Sequence, residues 1–172
     1  FAPNCHYGLD PAGASQVQEF HDLVQTCHKH GLAVLVDVVY NHTGVPSVLV
    51  HIDKQYYFDI TPDGELINWS GTGNTLRADA AMARRLIIES LTHFLEIYDV
   101  DGFRFDLAEL IDLPVLGLIE EALQEVKPGV ILIAEPWSFR GHIGRDLRHT
   151  GWSAWNDGYR DFIARYVKGQ GN

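Results

Sequence analysis

Apolar and polar residues follow two spacing patterns along this chain, one typical of buried strands and the other of amphipathic helices. Three segments predict strands: the β-branched run Leu32–Val39, the alternating stretch Val100–Asp106, and the apolar run Val130–Ala134. Apolar residues at helical spacing predict four helices, at about Ser15–Gly31, Asp79–Tyr98, Leu113–Val126 and Trp155–Lys168. Two of these helices begin with capping signals, because Ser15–Gln18 has the form of a capping box and Asp79 is a good N-cap residue.

This order of helices and strands indicates an α/β fold with a parallel sheet and right-handed crossovers. A complete (β/α)8 barrel needs about 250 residues, more than the 172 present. We therefore expect either a small open α/β domain or a piece of a barrel. The start at Phe1–Asn4, which resembles the tail of a strand, and the ending Lys168–Asn172 favour a piece. The irregular segment from Tyr40 to about Ala78 is long enough to predict a functional loop.

Composition narrows the classes of partner. The net charge of −10 argues against nucleic acid and anionic membranes, and no apolar run reaches the roughly 20 residues that span a bilayer. Cys5 and Cys27 fit a reduced, cytoplasmic protein better than a disulfide scaffold. The nine histidines are scattered and form no pattern typical of a metal site.

Candidate chemistry begins with Arg104 and Asp106. Side chains alternate along a strand, so these two share one face while Phe103 and Phe105 can pack against helices on the other. Burying either charge alone would cost roughly several kcal/mol, so we expect each ion to be matched. An aspartate held ionised by a guanidinium is a candidate nucleophile, and a purely structural ion pair is the alternative.

Carboxylates end all three predicted strands. Asp37 and Glu135 flank Asp106 at the same edge of a parallel sheet, where ligands bind in α/β folds. Asp37 is the expected counter-ion of Arg104. Glu135 precedes a proline and lies near Trp137, whose apolar wall would raise its pKa and suit it to general acid catalysis.

One ionised and one protonated carboxyl group are the parts required for glycoside hydrolysis. Aromatic residues near the strand ends are candidate platforms for sugar rings, namely Tyr7, Tyr40, Trp69, Trp137, Trp152 and Trp155. Ordinary core packing is the alternative for each, and we favour it for Trp155 at a helix start. An uncharged polysaccharide would suit an acidic protein.

Three of these stretches resemble signature regions of the α-amylase superfamily. Asp37–His42, Gly102–Asp106 and Ala134–Trp137 occur in that family's order, and with Trp155–Asp161 they are most similar to isoamylase-type and pullulanase-type glycogen debranching enzymes. The resemblance implies a partial (β/α)8 barrel, about the second to fifth β/α units, with residues 1–172 forming a fragment of one catalytic domain.

The resemblance also implies roles. Asp106 would be the nucleophile of a retaining mechanism and Glu135 the general acid/base, with Arg104 orienting Asp106. His42 would hydrogen-bond the sugar on the cleaved side, where Tyr7 would be the stacking platform. In calcium-binding amylases the residue matching Asn41 is a metal ligand. Debranching relatives often lack that site, so we expect no required cofactor.

Two departures from the family pattern matter. Glu109 and Leu110 replace a Lys-His pair that binds leaving-side glucose in many α-amylases, which favours debranching of α-1,6 bonds in glycogen-like or starch-like glucans. The family's fourth region, a His-Asp pair with the third catalytic acid, is absent, so we expect the 172-residue chain alone to be inactive. The alternatives are a transglycosylase such as a branching enzyme and a non-catalytic glucan-binding module of the same fold.

Overall fold

The computed structural model describes residues 3–170, which form four β-strands and five α-helices. The strands are β1 Leu35–Val38, β2 Gly102–Phe105, β3 Ile131–Ala134 and β4 Trp152–Ala154. The helices are α1 Gln16–Lys29, α2 Val48–Tyr57, α3 Ala81–Tyr98, α4 Leu113–Val126 and α5 Asp157–Val167. The strand tail expected at Phe1–Asn4 lies partly outside the described residues.

The strands form one parallel sheet in chain order, β1-β2-β3-β4. Asp37 of β1 lies beside Arg104 of β2, and Arg104 lies beside Ile133 of β3. Sequential parallel strands are the order of a (β/α)8 barrel, and α-helices lie in the crossovers from β1 to β2 and from β2 to β3, so the predicted fold class is confirmed. None of the helices described in residues 3–170 combines the length and apolarity needed to cross a bilayer.

One face of the sheet carries the core. Phe103 and Phe105 are fully buried there, as predicted, and pack in a single cluster with Leu91 of α3 and Ile119 of α4. Gly102 allows β2 and β3 to approach closely, because a Cβ at this position would lie 2.0 Å from the carbonyl oxygen of Ile131. The other face carries Asp37 and Arg104.

Sequence reasoning missed two elements. The segment from Tyr40 to Ala78 is not wholly irregular, because it contains α2, which is kinked at Asp53. β4 was also missed. Its three residues have no β-branched member, and the buried ring of Trp152 holds the strand against the core.

Ser15 occupies the N-cap position of α1 but does not form the predicted capping box, and the cap predicted at Asp79 was wrong; both helices form nonetheless. Ser15 makes no capping hydrogen bond to α1, and its hydroxyl instead accepts the Asp10 N–H at 2.8 Å. The N-cap of α3 is Ala80 rather than Asp79, and the Tyr56 hydroxyl accepts the first-turn N–H of Met82 at 3.0 Å. At the start of α3, a hydrogen bond from another helix thus replaces the local capping that the sequence predicted.

Candidate active site

The backbone brings the predicted acids to adjacent positions at one edge of the sheet. Asp106 directly follows β2, and its N–H donates to the carbonyl oxygen of Val38 at 3.0 Å. Glu135 directly follows β3, and its N–H donates to the carbonyl oxygen of Phe105 at 2.9 Å. The strand pairing therefore extends to both acids and fixes where their side chains start.

Arg104 joins all three predicted carboxylates. Its Nη1 lies 2.9 Å from Oδ1 of Asp37 and 3.0 Å from Oδ1 of Asp106, and its Nη2 lies 2.9 Å from Oε2 of Glu135. The Arg104 side chain is 14% exposed. Burial opposes its charge, but hydrogen bonds to Asp37 and Asp106 outweigh this and raise the pKa of Arg104. The guanidinium is therefore a permanent cation among the acids.

A tryptophan covers this cation. The guanidinium carbon of Arg104 lies 4.2 Å from the centre of the Trp155 ring, a cation–π contact. The expectation that Trp155 packs in the core was wrong, because the residue is 46% exposed and its ring lies over Arg104, beside the three carboxylates.

Asn41 is a second partner of Asp106 that sequence reasoning treated only as a metal ligand. Its Nδ2 donates to the backbone oxygen of Asp106 at 2.7 Å and to Oδ2 at 3.1 Å. Its Oδ1 lies 2.6 Å from Nδ1 of His42. Asn41 is fully buried, so it links His42 to Asp106. Its position three residues past a strand end, beside the acid-bearing strand, was the available signal.

The surroundings of Glu135 differ from those predicted. Its Oε2 contacts Arg104 and accepts the Leu107 N–H at 3.0 Å, while its backbone oxygen accepts the Ala108 N–H at 2.8 Å. The Trp137 ring lies instead against Trp155, with ring centres 6.2 Å apart. Polar partners, rather than an apolar wall, therefore hold this carboxylate, whose side chain is 12% exposed.

An aromatic cavity lies beside these acids. It measures about 220 Å³ and is lined by Trp137, Trp155, Asn156, Asp157 and Arg160. The Arg160 guanidinium carbon lies 5.2 Å from the centre of the Trp137 ring. Two partly exposed indole rings with polar neighbours are suited to contact a sugar.

Other predicted aromatic platforms have different roles. Tyr40 and Trp152 both pack on Phe105, and their polar atoms bond to Ser90 and to the backbone of Leu116. These two are core residues. Tyr7 is 87% exposed and borders a separate cavity of about 250 Å³ with residues of α1. The structure of residues 3–170 does not group Tyr7 with the carboxylates.

A metal site is not formed by side chains in the described part of the chain. Residues 3–170 contain no cluster of three or more His, Cys, Asp or Glu arranged to hold an ion. Both polar atoms of the Asn41 side chain are engaged by Asp106 and His42. That no cofactor is required stays a prediction.

Comparison with known proteins gives strong matches over nearly the whole chain. Isoamylase 3 from rice chloroplasts (Oryza sativa subsp. japonica) is 38% identical over 192 residues, covering 98% of this chain and 24% of the relative. The glycogen debranching enzyme of Salmonella typhi is 34% identical, covering 96% of this chain and 28% of the relative. No family model matches the chain.

Solved structures agree with the sequence matches. A pullulanase from Paenibacillus barengoltzii, in complex with maltohexaose and α-cyclodextrin, superposes with a TM-score of 0.84 and 31% identity, covering 92% of this chain and 26% of that one. The chain is thus similar over nearly its whole length to debranching enzymes, which confirms the predicted resemblance to the α-amylase superfamily. The chain spans 24% and 28% of the length of the two relatives described above.

Proposed function

We propose that the protein carrying this chain is a retaining hydrolase that cleaves α-1,6 branch points in glycogen-like or starch-like glucans. One observation carries the proposal: a single guanidinium, that of Arg104, binds both Asp106 and Glu135 at neighbouring strand ends. Two acids that share one guanidinium lie close together. Retaining glycosidases need a separation of only about 5–5.5 Å, because one acid attacks the sugar directly.

The proposed mechanism assigns one step to each acid. Asp106 attacks the anomeric carbon while Glu135 donates a proton to the glycosidic oxygen, which departs with the leaving sugar. The attack leaves the remaining sugar as a glycosyl ester on Asp106. Glu135 then removes a proton from water, and the water oxygen displaces Asp106 from the sugar. Arg104 and Asn41 orient the attacking carboxylate, since they bond to its two different oxygens.

Substrate contacts follow from the surfaces around the acids. We propose that Trp137 and Trp155, which line the cavity beside the acids, contact the sugar on the leaving side, and that His42 contacts the sugar on the cleaved side. Glu109 is 7% exposed and bonds to Arg140, so it is not presented to a leaving-side glucose. That arrangement and the names of the homologues support a debranching enzyme over an α-1,4-amylase. Asp37 acts indirectly, by neutralising Arg104.

Further assignments accompany this function. We propose that residues 1–172 all belong to one catalytic barrel domain and that no cofactor is required. The expected partner is an uncharged α-glucan rather than nucleic acid or a membrane, and a cytoplasmic location remains a prediction. Tyr7 remains a proposed platform only if segments outside this chain bring the sugar to it.

Product analysis tests the reaction. In a protein that contains this chain within a complete catalytic domain, incubation with pullulan or glycogen should raise the number of reducing ends without creating new branches. New branches at a constant number of reducing ends would instead identify the transglycosylase, which shares the same catalytic acids. Glucan binding with neither change would identify the non-catalytic module.

A further inference from the structure

We propose that Arg140 is a positioning residue for the two acids, an inference that rests on the proposed function. Arg140 lies in the loop between β3 and β4, five residues after Glu135. Its side chain reaches across to the loop that follows Asp106. Its Nε donates to Oε1 of Glu109 at 3.0 Å, and its Nη2 donates to the Glu109 backbone oxygen at 2.7 Å and to Oδ1 of Asp112 at 2.6 Å.

The Glu109 end of this contact is buried and fully matched. The other oxygen of its carboxylate accepts a hydrogen bond from the Ser138 hydroxyl, which itself accepts the Arg140 N–H at 2.9 Å. Arg140 and Ser138 both belong to the β3–β4 loop. The Arg140 and Ser138 side chains of the β3–β4 loop thus both bond to the carboxylate of Glu109, which lies in the loop after β2. Glu109 is only 7% exposed, and a buried carboxylate is stable only where such partners compensate its charge.

The segment that Arg140 holds contains a short 3-10 helix, Ala108–Ile111, with strained backbone at both of its ends. Leu107 and Asp112, which bound it, both have positive φ angles, of 41° and 68°. A left-handed conformation in residues with a side chain is unfavourable and persists only where surrounding contacts enforce it. At one end the contacts come from Glu135, which accepts the Leu107 and Ala108 N–H groups. At the other end they come from Arg140.

These contacts connect Arg140 to the proton donor. If Arg140 releases Glu109 and Asp112, the segment from Leu107 to Asp112 can relax, and the N–H groups that hold Glu135 move with it. Asp106 is less dependent on this link, because Asn41 and the Val38 carbonyl hold it from the β1 side and Arg104 holds it from β2. Arg140 therefore controls the position of Glu135 relative to Asp106.

A third loop lies near enough to Arg140 to interact with its charge. Asp59, in the segment between β1 and α3, is partly buried, and burial raises its pKa while the charge of Arg140 counteracts this rise. Next to Arg140, the Phe139 ring lies directly on Gly71, where a Cβ would come within 2.8 Å of Phe139 Cε2. The β3–β4 loop thus anchors the long segment as well as the loop after β2.

The test compares two substrates that differ in their need for a proton. Natural glucans require Glu135 to protonate the leaving oxygen, whereas an α-maltosyl fluoride releases fluoride without that proton. General acid catalysis contributes typically about 10²–10⁴-fold, and a small misplacement can remove much of it. In a protein with the complete catalytic domain, we expect Arg140→Gln to lower kcat on pullulan by roughly 10- to 100-fold and to leave the first-turnover rate of fluoride release little changed. The first turnover is compared because later turnovers of the fluoride also need Glu135, as the base that activates water.

Controls separate positioning from folding. Arg85→Gln removes an exposed arginine that pairs with Glu89 on the surface of α3, and it should change neither rate. Glu109→Gln cuts the same link from the other side, so it replaces Arg140→Gln if that variant does not fold. In a double-mutant cycle, the pair of changes should cost no more than Arg140→Gln alone. Equal losses on both substrates, or no loss on pullulan, would overturn the proposal.

A failure of the proposed function would be visible separately. If the unaltered protein hydrolyses neither substrate, the glucan hydrolase assignment is wrong, and the crystal structure of Arg140→Gln then decides about Arg140. Displacement of Leu107–Asp112 together with the Glu135 carboxylate would support the positioning role. An unmoved segment would overturn it.

Discussion

Replacing Arg104 by lysine or methionine separates the charge of this residue from its geometry. The guanidinium meets three carboxylates through two nitrogens, at distances of 2.9–3.0 Å, and a lysine ammonium keeps the charge on one nitrogen. Arg104→Lys therefore cannot reproduce the whole set of contacts. Losing one charged hydrogen bond costs about 1.5–3 kcal/mol, which corresponds to a decrease in kcat of roughly 10- to 100-fold.

Arg104→Met removes the contacts with both Asp106 and Glu135. At the same cost per bond the loss is about 3–6 kcal/mol, or roughly 10²–10⁴-fold in kcat. The assay is the initial rate of reducing-end formation from pullulan, with near-ultraviolet circular dichroism to confirm folding and Arg85→Lys as the matched surface control. A fully active Arg104→Lys variant would refute the argument, because charge alone would then suffice.

Three further predictions follow from other contacts. Asp106→Asn should abolish turnover while glucan binding, measured by calorimetry, stays nearly unchanged. Turnover by this variant at the wild-type rate would exclude Asp106 as the nucleophile. At the opposite end of β2, burial opposes the charge of Asp101, but the Val34 N–H, His28 and Lys127 outweigh it and lower the pKa of Asp101. The stability that this carboxylate contributes is therefore complete at neutral pH and is lost as the pH falls from about 5 toward 2. Asp101→Asn should flatten this part of the curve of unfolding free energy against pH, with exposed Asp22→Asn as control, and an unchanged curve would contradict the assignment. Finally, the 172-residue chain alone should not hydrolyse pullulan, and measurable hydrolysis would show that no third acid is needed.

The strands and the first set of site residues were predictable because the signal was local. The run Leu32–Val39 and the alternation around Arg104 specify buried strands, and the strand ends then locate Asp37, Asp106 and Glu135 without any coordinates. In the structure, only Leu35–Val38 of the first run pairs in the sheet, so its extent was overestimated. Site residues that lie within two or three positions of a strand end can therefore be predicted from the sequence.

Capping and side-chain partners were not predictable, because they depend on segments distant in sequence. Asp79 has the chemistry of a cap, yet α3 begins one residue later than predicted, and the Tyr56 hydroxyl of α2 accepts one of its first-turn N–H groups. Trp155 directly follows β4, which has no β-branched residue and was not predicted as a strand. Its position over Arg104 could therefore not be predicted either.

The sequence by itself determined the parallel α/β order, the acids at the strand ends and the counter-ion Asp37 for Arg104. Only the tertiary structure decided that Arg104 also binds Glu135, that Asn41 bonds to Asp106, and that Arg140 reaches back to Glu109. The difference is physical: strand pairing is set by backbone periodicity, whereas a long side chain selects its partner from whatever the folded loops bring within hydrogen-bonding distance.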